Sequence, residues 1–123
     1  MEQVKAFKPI ALVVEDDAMQ RAIASMLLEE SGMAVVECES AEAAVRVLEK
    51  MGDCFSLMFT DVDMSGNFDG VELAHFAHHR FPGLRIIVTS GLDPKSNLPK
   101  GATFMPKPWQ ALDLTREAGQ LQH

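Results

Sequence analysis

The sequence predicts a single, doubly wound α/β domain: a five-stranded parallel sheet with helices on both faces. Short apolar runs rich in β-branched residues alternate from end to end with segments of helical periodicity. That alternation is the mark of strands buried on both sides and joined by helical crossovers. At 123 residues the chain has the length of one domain. Apolar residues make up 47% of it, enough for a real core and too many for a disordered polymer.

Ile10 to Val14 is a continuous apolar run and the first strand. Met19, Ile23, Met26 and Leu27 follow at i, i+4, i+7 and i+8 and form one face of a helix that ends at Gly32. Asp17 with Gln20 three residues later reads as its capping box. Ala34 to Cys38 is the second strand. Ser40 caps a second helix whose face is Ala41, Ala44, Val45 and Leu48, stopping near Gly52. Phe55 to Thr60 is the third strand, and the acidic, glycine-containing loop Asp61 to Gly70 follows it.

Asp69 with Glu72 signals a third helix that runs to about Phe81, with Leu73, Phe76 and Ala77 inward and Pro82-Gly83 ending it. Arg85 to Thr89 is the fourth strand and Thr103 to Met105 a short fifth. Ala111, Leu114, Ala118 and Leu121 mark a last amphipathic helix. The methionines scattered over helical faces read as core filler.

Eleven basic against eighteen acidic side chains leave a net charge of −7. Binding to a phosphate backbone, which depends on clustered Lys and Arg, is not expected. No apolar run is long enough to span a membrane, and no apolar stretch of a signal peptide follows Lys5 and Lys8. Cys38 and Cys54 are too few for a disulfide scaffold. They fit a reducing cytoplasm, as small buried side chains.

Ligands of an open parallel sheet bind at the carboxyl ends of its strands. Here the first strand ends in Glu15-Asp16-Asp17, the third in Asp61-Val62-Asp63, the fourth in Thr89-Ser90-Gly91 and the fifth in Pro106-Lys107-Pro108. If the first and third strands are neighbours, Glu15, Asp16 and Asp61 crowd together and call for a counter-cation. An all-oxygen carboxylate cluster suits a hard, partly hydrated divalent ion, most naturally Mg²⁺. A carboxylate beside a metal, a lysine and a hydroxyl is equipped to accept a phosphoryl group.

The ordered set Glu15-Asp16, Asp61, a hydroxyl after the fourth strand, then Lys107-Pro108 resembles the response-regulator receiver domain of bacterial two-component signalling over almost the full chain. The resemblance implies flavodoxin-like strand order 2-1-3-4-5. It implies that Asp61 accepts a phosphoryl group from a sensor histidine kinase or a histidine phosphotransfer protein. It further implies that Asp16 and Asp61 ligate Mg²⁺ directly, Glu15 through water and Asp63 through its backbone carbonyl. Lys107 would pair with the phosphoryl group, across a cis bond to Pro108. Gapless counting from Arg85 puts the switch hydroxyl at Ser90, with Thr89 the alternative, and Phe104 falls at the switch aromatic. Such a chain is a phosphoprotein switch rather than a turnover enzyme, here without an output domain, and its output is a contact with another protein.

Three features depart from the family pattern. Sixteen residues lie between Ser90 and Lys107, and Pro94, Pro99 and Gly101 fall among them, so the family's fourth helix is expected to be reduced or missing. Asp93-Pro94 could start one turn of it. The turn after the acceptor appears as Met64-Ser65-Gly66 with an extra residue before Asp69-Gly70, and Pro106 replaces the apolar residue before the lysine.

Simpler readings compete at several positions. Asp17 suits a helix cap better than a ligand. Asp63 can be a solvated loop acid, Ser90 a turn hydroxyl and Phe104 a strand aromatic. His75 and His79, one turn apart, form a solvated helix face more readily than a metal site. Among other functions, Asp61-Val62-Asp63 resembles the nucleophile motif of haloacid-dehalogenase-type phosphatases, although the acid pair then comes in the wrong order. Glu15 with Asp61 and Asp63 resembles the Toprim metal site, against which the net negative charge weighs. Neither explains Lys107-Pro108.

Overall fold

The five apolar runs pair as parallel strands in the computed structural model, which describes residues 8–64, 68–92 and 97–120. The strands are β1 (Ile10–Val14), β2 (Ala34–Cys38), β3 (Phe55–Asp61), β4 (Arg85–Ser90) and β5 (Thr103–Pro106), in the order β2-β1-β3-β4-β5. Strands β3, β4 and β5 each run one residue past the apolar run that announces them. Asp61 pairs with Thr89, and Ser90 with Pro106, so the last rungs of the ladder carry the chemistry. Backbone pairing does not depend on side-chain polarity, so the apolar pattern stops one residue early.

The helices are α1 (Ala18–Glu30), α2 (Ala41–Met51), α3 (Gly70–Arg80) and α4 (Ala111–Gln120). Alternation along each strand sorts the core into two layers. Leu12, Val14, Met58, Ile86 and Val88 meet Ala44 and Leu48 of α2 and Leu73 and Ala77 of α3. Ala11, Val13, Leu57, Phe59 and Ile87 meet Ala24 and Leu28 of α1 and Leu114 and Ala118 of α4. Helix α2 starts at Ser40, whose hydroxyl accepts from the Ala43 N–H at 3.0 Å. Helix α3 starts in a reciprocal capping box between Asp69 and Glu72. No helix lies between β4 and β5 among the described residues. Asp93-Pro94, Ser65-Gly66 and Leu121 lie outside those residues.

Several expectations need correction. Most of the apolar face expected for α1 points away from the sheet: Met19, Ile23 and Met26 are 74%, 44% and 49% exposed, and only Leu27 of that face packs against the core. The buried residues of α1 are Ala24, Ser25 and Leu28, a mostly small stripe that lets the helix lie close to Leu57 and Phe59. Met19 and Met26 are therefore not core filler, whereas Met33, Met58 and Met105 are buried. The Asp17–Gln20 box is half made: Asp17 Oδ1 accepts from the Gln20 N–H at 2.9 Å, while the Gln20 side-chain Oε1 accepts from Lys107. Cys38 is buried but Cys54 is exposed. Ala111 is exposed, leaving Leu114 and Ala118 as the buried face of α4.

Candidate functional site

Glu15 leaves β1 with its backbone N–H on the Cys38 carbonyl of β2 at 3.0 Å. Arg21 of α1 donates through Nη1 to the Glu15 carbonyl at 2.8 Å and through Nε to Glu37 at 3.3 Å. The Asp17 N–H donates to Glu15 Oε2 at 2.9 Å. These bonds hold the Glu15 carboxylate inward, where it is nearly fully buried beside Asp61, while Asp16 is exposed. One carboxylate oxygen from each of Glu15, Asp16 and Asp61 can be chosen so that all three lie within 4.8 Å of one another.

Asp61 is buried and both of its oxygens are engaged. Oδ1 accepts from the Asp63 N–H at 3.2 Å, and Oδ2 from Lys107 Nζ at 3.0 Å. The same ammonium donates to Gln20 Oε1 at 3.1 Å and stands 3.9 Å from Glu15 Oε1. The Lys107 N–H completes the β4 edge by donating to the Ser90 carbonyl at 2.9 Å, and the Lys107–Pro108 peptide is cis. Gly70, the first residue of α3, approaches so closely that a Cβ there would lie 2.0 Å from the Asp61 carbonyl oxygen.

The two hydroxyls of β4 have different fates. Ser90 Oγ donates to Asp63 Oδ2 at 3.1 Å and accepts from the Leu92 N–H at 3.1 Å. Thr89 Oγ1 is buried without a hydrogen-bond partner. Phe104 is half-buried on edge strand β5. His75 Nε2 is 2.8 Å from the Asn97 carbonyl, so this ring ties α3 to the β4–β5 connection rather than facing only solvent. Among the described residues, the acidic trio is the one cluster with metal-ligand spacing. Reading the sequence alone missed Gln20, whose spacing from Asp17 looked like helix capping and carried no signal of its contact with Lys107.

Burial, and secondarily the Asp61 charge, pushes the Glu15 carboxyl up to about 7 from an ordinary value of 4.5, against the opposing pull of the Asp17 N–H and Lys107. A carboxyl raised in the folded state holds a proton that the unfolded chain gives up. Stability without metal therefore falls as pH rises between about 4.5 and 7 and stays low above that range. The cost above the window is on the order of 3 kcal/mol. Urea unfolding in EDTA at pH 5 and pH 8 should show this slope in the wild type and lose most of it in Glu15→Gln.

A parallel sheet of this order, with an acidic cluster and an opposing lysine at its carboxyl edge, defines the receiver class of α/β domains. Comparisons with known proteins agree. The family model described as "Response regulator receiver domain" matches residues 11–117. The response regulator receiver protein CpdR of Brucella abortus (strain 2308) is 33% identical over 111 residues, which cover 86% of this chain and 90% of that protein. The receiver domain of the hybrid histidine kinase CckA superposes with a TM-score of 0.79 at 29% identity, covering 93% of this chain and 99% of that one. A receiver protein from Sinorhizobium medicae has the same fold, with a TM-score of 0.84 at 23% identity over 92% of this chain and 93% of that one. The chain belongs to the response regulator receiver domain family.

Proposed function

We propose that this chain is a Mg²⁺-dependent phosphoryl switch in which Asp61 takes a phosphoryl group from a sensor histidine kinase or histidine phosphotransfer protein. The observation that carries the reading is the pair of bonds on Asp61. The Asp63 N–H and the Lys107 ammonium fix both oxygens at the mouth of the acidic cluster, so the nucleophile is oriented before a donor arrives.

The carboxylates of Glu15, Asp16 and Asp61 fit a hard divalent cation in number, spacing and chemistry. Asp16 and Asp61 would hold it directly, with Glu15 acting through water and Asp63 through its backbone carbonyl. When bound, the ion supplies positive charge that offsets the approach of an anionic phosphoryl group. In the transfer, an Asp61 oxygen attacks phosphorus, the donor's nitrogen–phosphorus bond breaks, and the electron pair leaves with the imidazole. Lys107 then pairs with the new phosphoryl oxygens. Ser90 is the switch hydroxyl in this reading, because its Oγ borders Asp63 while that of Thr89 has no polar partner. Phe104 would serve as the switch aromatic. The two free thiols suit the cytoplasm, where such donors work.

Incubation with Mg²⁺ and acetyl phosphate, followed by intact mass, tests the function. One phosphoryl group per chain is expected, and none in EDTA. Asp16→Asn should raise the Mg²⁺ concentration needed at least tenfold, read by fluorescence of Trp109, whose indole packs edge-to-face on Phe59 at 5.5 Å. Sustained release of phosphate from a phosphoester would support the phosphatase reading instead.

A groove of about 790 Å³ runs from Lys107 and Gln20 along Ile23, Met26, Leu27 and Trp109. It gives a protein donor an apolar seat directly beside the acceptor. Met26→Lys should slow phosphorylation by a cognate protein donor at least tenfold and leave the rate with acetyl phosphate within twofold of wild type.

A further inference from the structure

Asp63 touches both halves of the switch. Its backbone N–H donates to the acceptor carboxylate, and its side chain accepts from the Ser90 hydroxyl. Ser90 is otherwise buried, and its Oγ also receives the N–H of Leu92, an exposed apolar residue in the connection after β4. We propose that the Asp63 carboxylate is a latch that holds the Ser90 hydroxyl, and through it Leu92, in the resting arrangement, and that a phosphoryl group on Asp61 releases it.

The proposal rests on Asp61 being the acceptor and adds a role for a side chain whose backbone alone was assigned one. Three physical points support it. A hydroxyl has a single proton, so Ser90 donates either to Asp63 or to a phosphoryl oxygen, and each bond is made at the expense of the other. At 3.1 Å the bond is long for a hydroxyl on a carboxylate, and Asp63 is exposed, so water can replace the donor at small cost. Asp63 stands two residues from the acceptor, so added negative charge on Asp61 repels the carboxylate that must let go. The latch is thus weakened by the event that offers the hydroxyl its new partner.

The test uses beryllium fluoride with Mg²⁺ as the phosphoryl mimic, on the full chain, in wild type, Asp63→Ala, Ser90→Ala and the double variant. Affinity is read from Trp109 fluorescence and the resting arrangement from the Leu92 amide resonance. Asp63→Ala should bind the mimic about threefold to tenfold more tightly than wild type. Its Leu92 amide, before the mimic is added, should move toward the position seen at saturation. With Ser90→Ala as background, the same Asp63→Ala change should alter affinity less than twofold.

An equal gain in both backgrounds would show that Asp63 acts only as a repelling charge and would overturn the latch. No gain, or an unmoved Leu92 amide, would overturn it as well. Failure of wild type to bind the mimic would instead remove the Asp61 reading and the latch together, a result separable from the others because it needs no variant.

Discussion

Asp61→Asn should fold, keep the α/β sheet and take up no phosphoryl group from acetyl phosphate or from a protein donor. The carboxamide lacks the anionic oxygen that attacks phosphorus, so the expected loss is complete within the sensitivity of intact mass, at least a thousandfold in rate. The fold should tolerate the change because the Asp63 N–H can still donate to the remaining carbonyl oxygen. Lys107 loses its short ion pair at 3.0 Å but retains Gln20 Oε1 at 3.1 Å. Removing the Asp61 charge also takes away one of the influences that raise the Glu15 carboxyl. The variant should therefore have a lower Glu15 pKa than wild type, which titration of its carboxyl carbon by NMR would show. Equal labelling of Asp61→Asn and wild type would mean that a different residue is the acceptor.

Gly70→Ala is the second large effect, and it arises from space rather than chemistry. A Cβ at this position would lie 2.0 Å from the Asp61 carbonyl oxygen, 2.7 Å from its carbon and 2.8 Å from Val62 Cα. All three are backbone atoms at the end of a central strand, where no rotamer change gives relief. Either α3 withdraws from the sheet or the Asp61 peptide shifts. Helix α3 is fixed by Leu73, Ala74 and Ala77 in the core and by its Asp69–Glu72 cap, so the strand end is the softer element. The expected cost is about 2–3 kcal/mol of unfolding free energy, measurable by urea denaturation. In the folded fraction, phosphorylation by acetyl phosphate should fall about tenfold to a hundredfold, because displacement of the carboxylate by a fraction of an ångström spoils its alignment. Normal stability with normal labelling would show that the close approach relaxes freely.

The fold was largely legible because burial on both faces leaves its mark in the three central strands. Ile10–Val14 and Arg85–Ser90 have room for few polar residues, and the helices between them are bounded by residues with clear capping chemistry, such as Ser40 and Asp69. The acidic pair, Asp61 and Lys107 could be placed together because an open parallel sheet collects its strand ends at one edge. What stayed hidden depends on distances across the chain. Gln20 and Lys107 are 87 positions apart, and nothing in either neighbourhood announces their contact. The orientation of α1 was misread for a different reason. A helix with a row of large apolar side chains at helical spacing is ordinarily assumed to bury them, but the sheet beneath α1 already carries Phe59 and Leu57 and accepts Ala24, Ser25 and Leu28, leaving Met19, Ile23 and Met26 outside.

The layering of the core has a consequence for signal flow. The Met26 groove lies between α1 and the start of α4, on one side of the sheet. Ser90 lies two residues beyond Val88, which packs against the α2 and α3 layer, and its hydroxyl leads to Leu92 in the connection beyond. The Asp61 carboxylate thus sits between the groove on one side and the Ser90–Leu92 hydrogen bond leading toward the other. If the groove seats the donor, as proposed, the acceptor is reached from the α1 and α4 side, while Leu92 follows a strand whose Val88 packs on the α2 and α3 side. In that arrangement, donor and target would approach opposite faces of one sheet, and both could be bound at once.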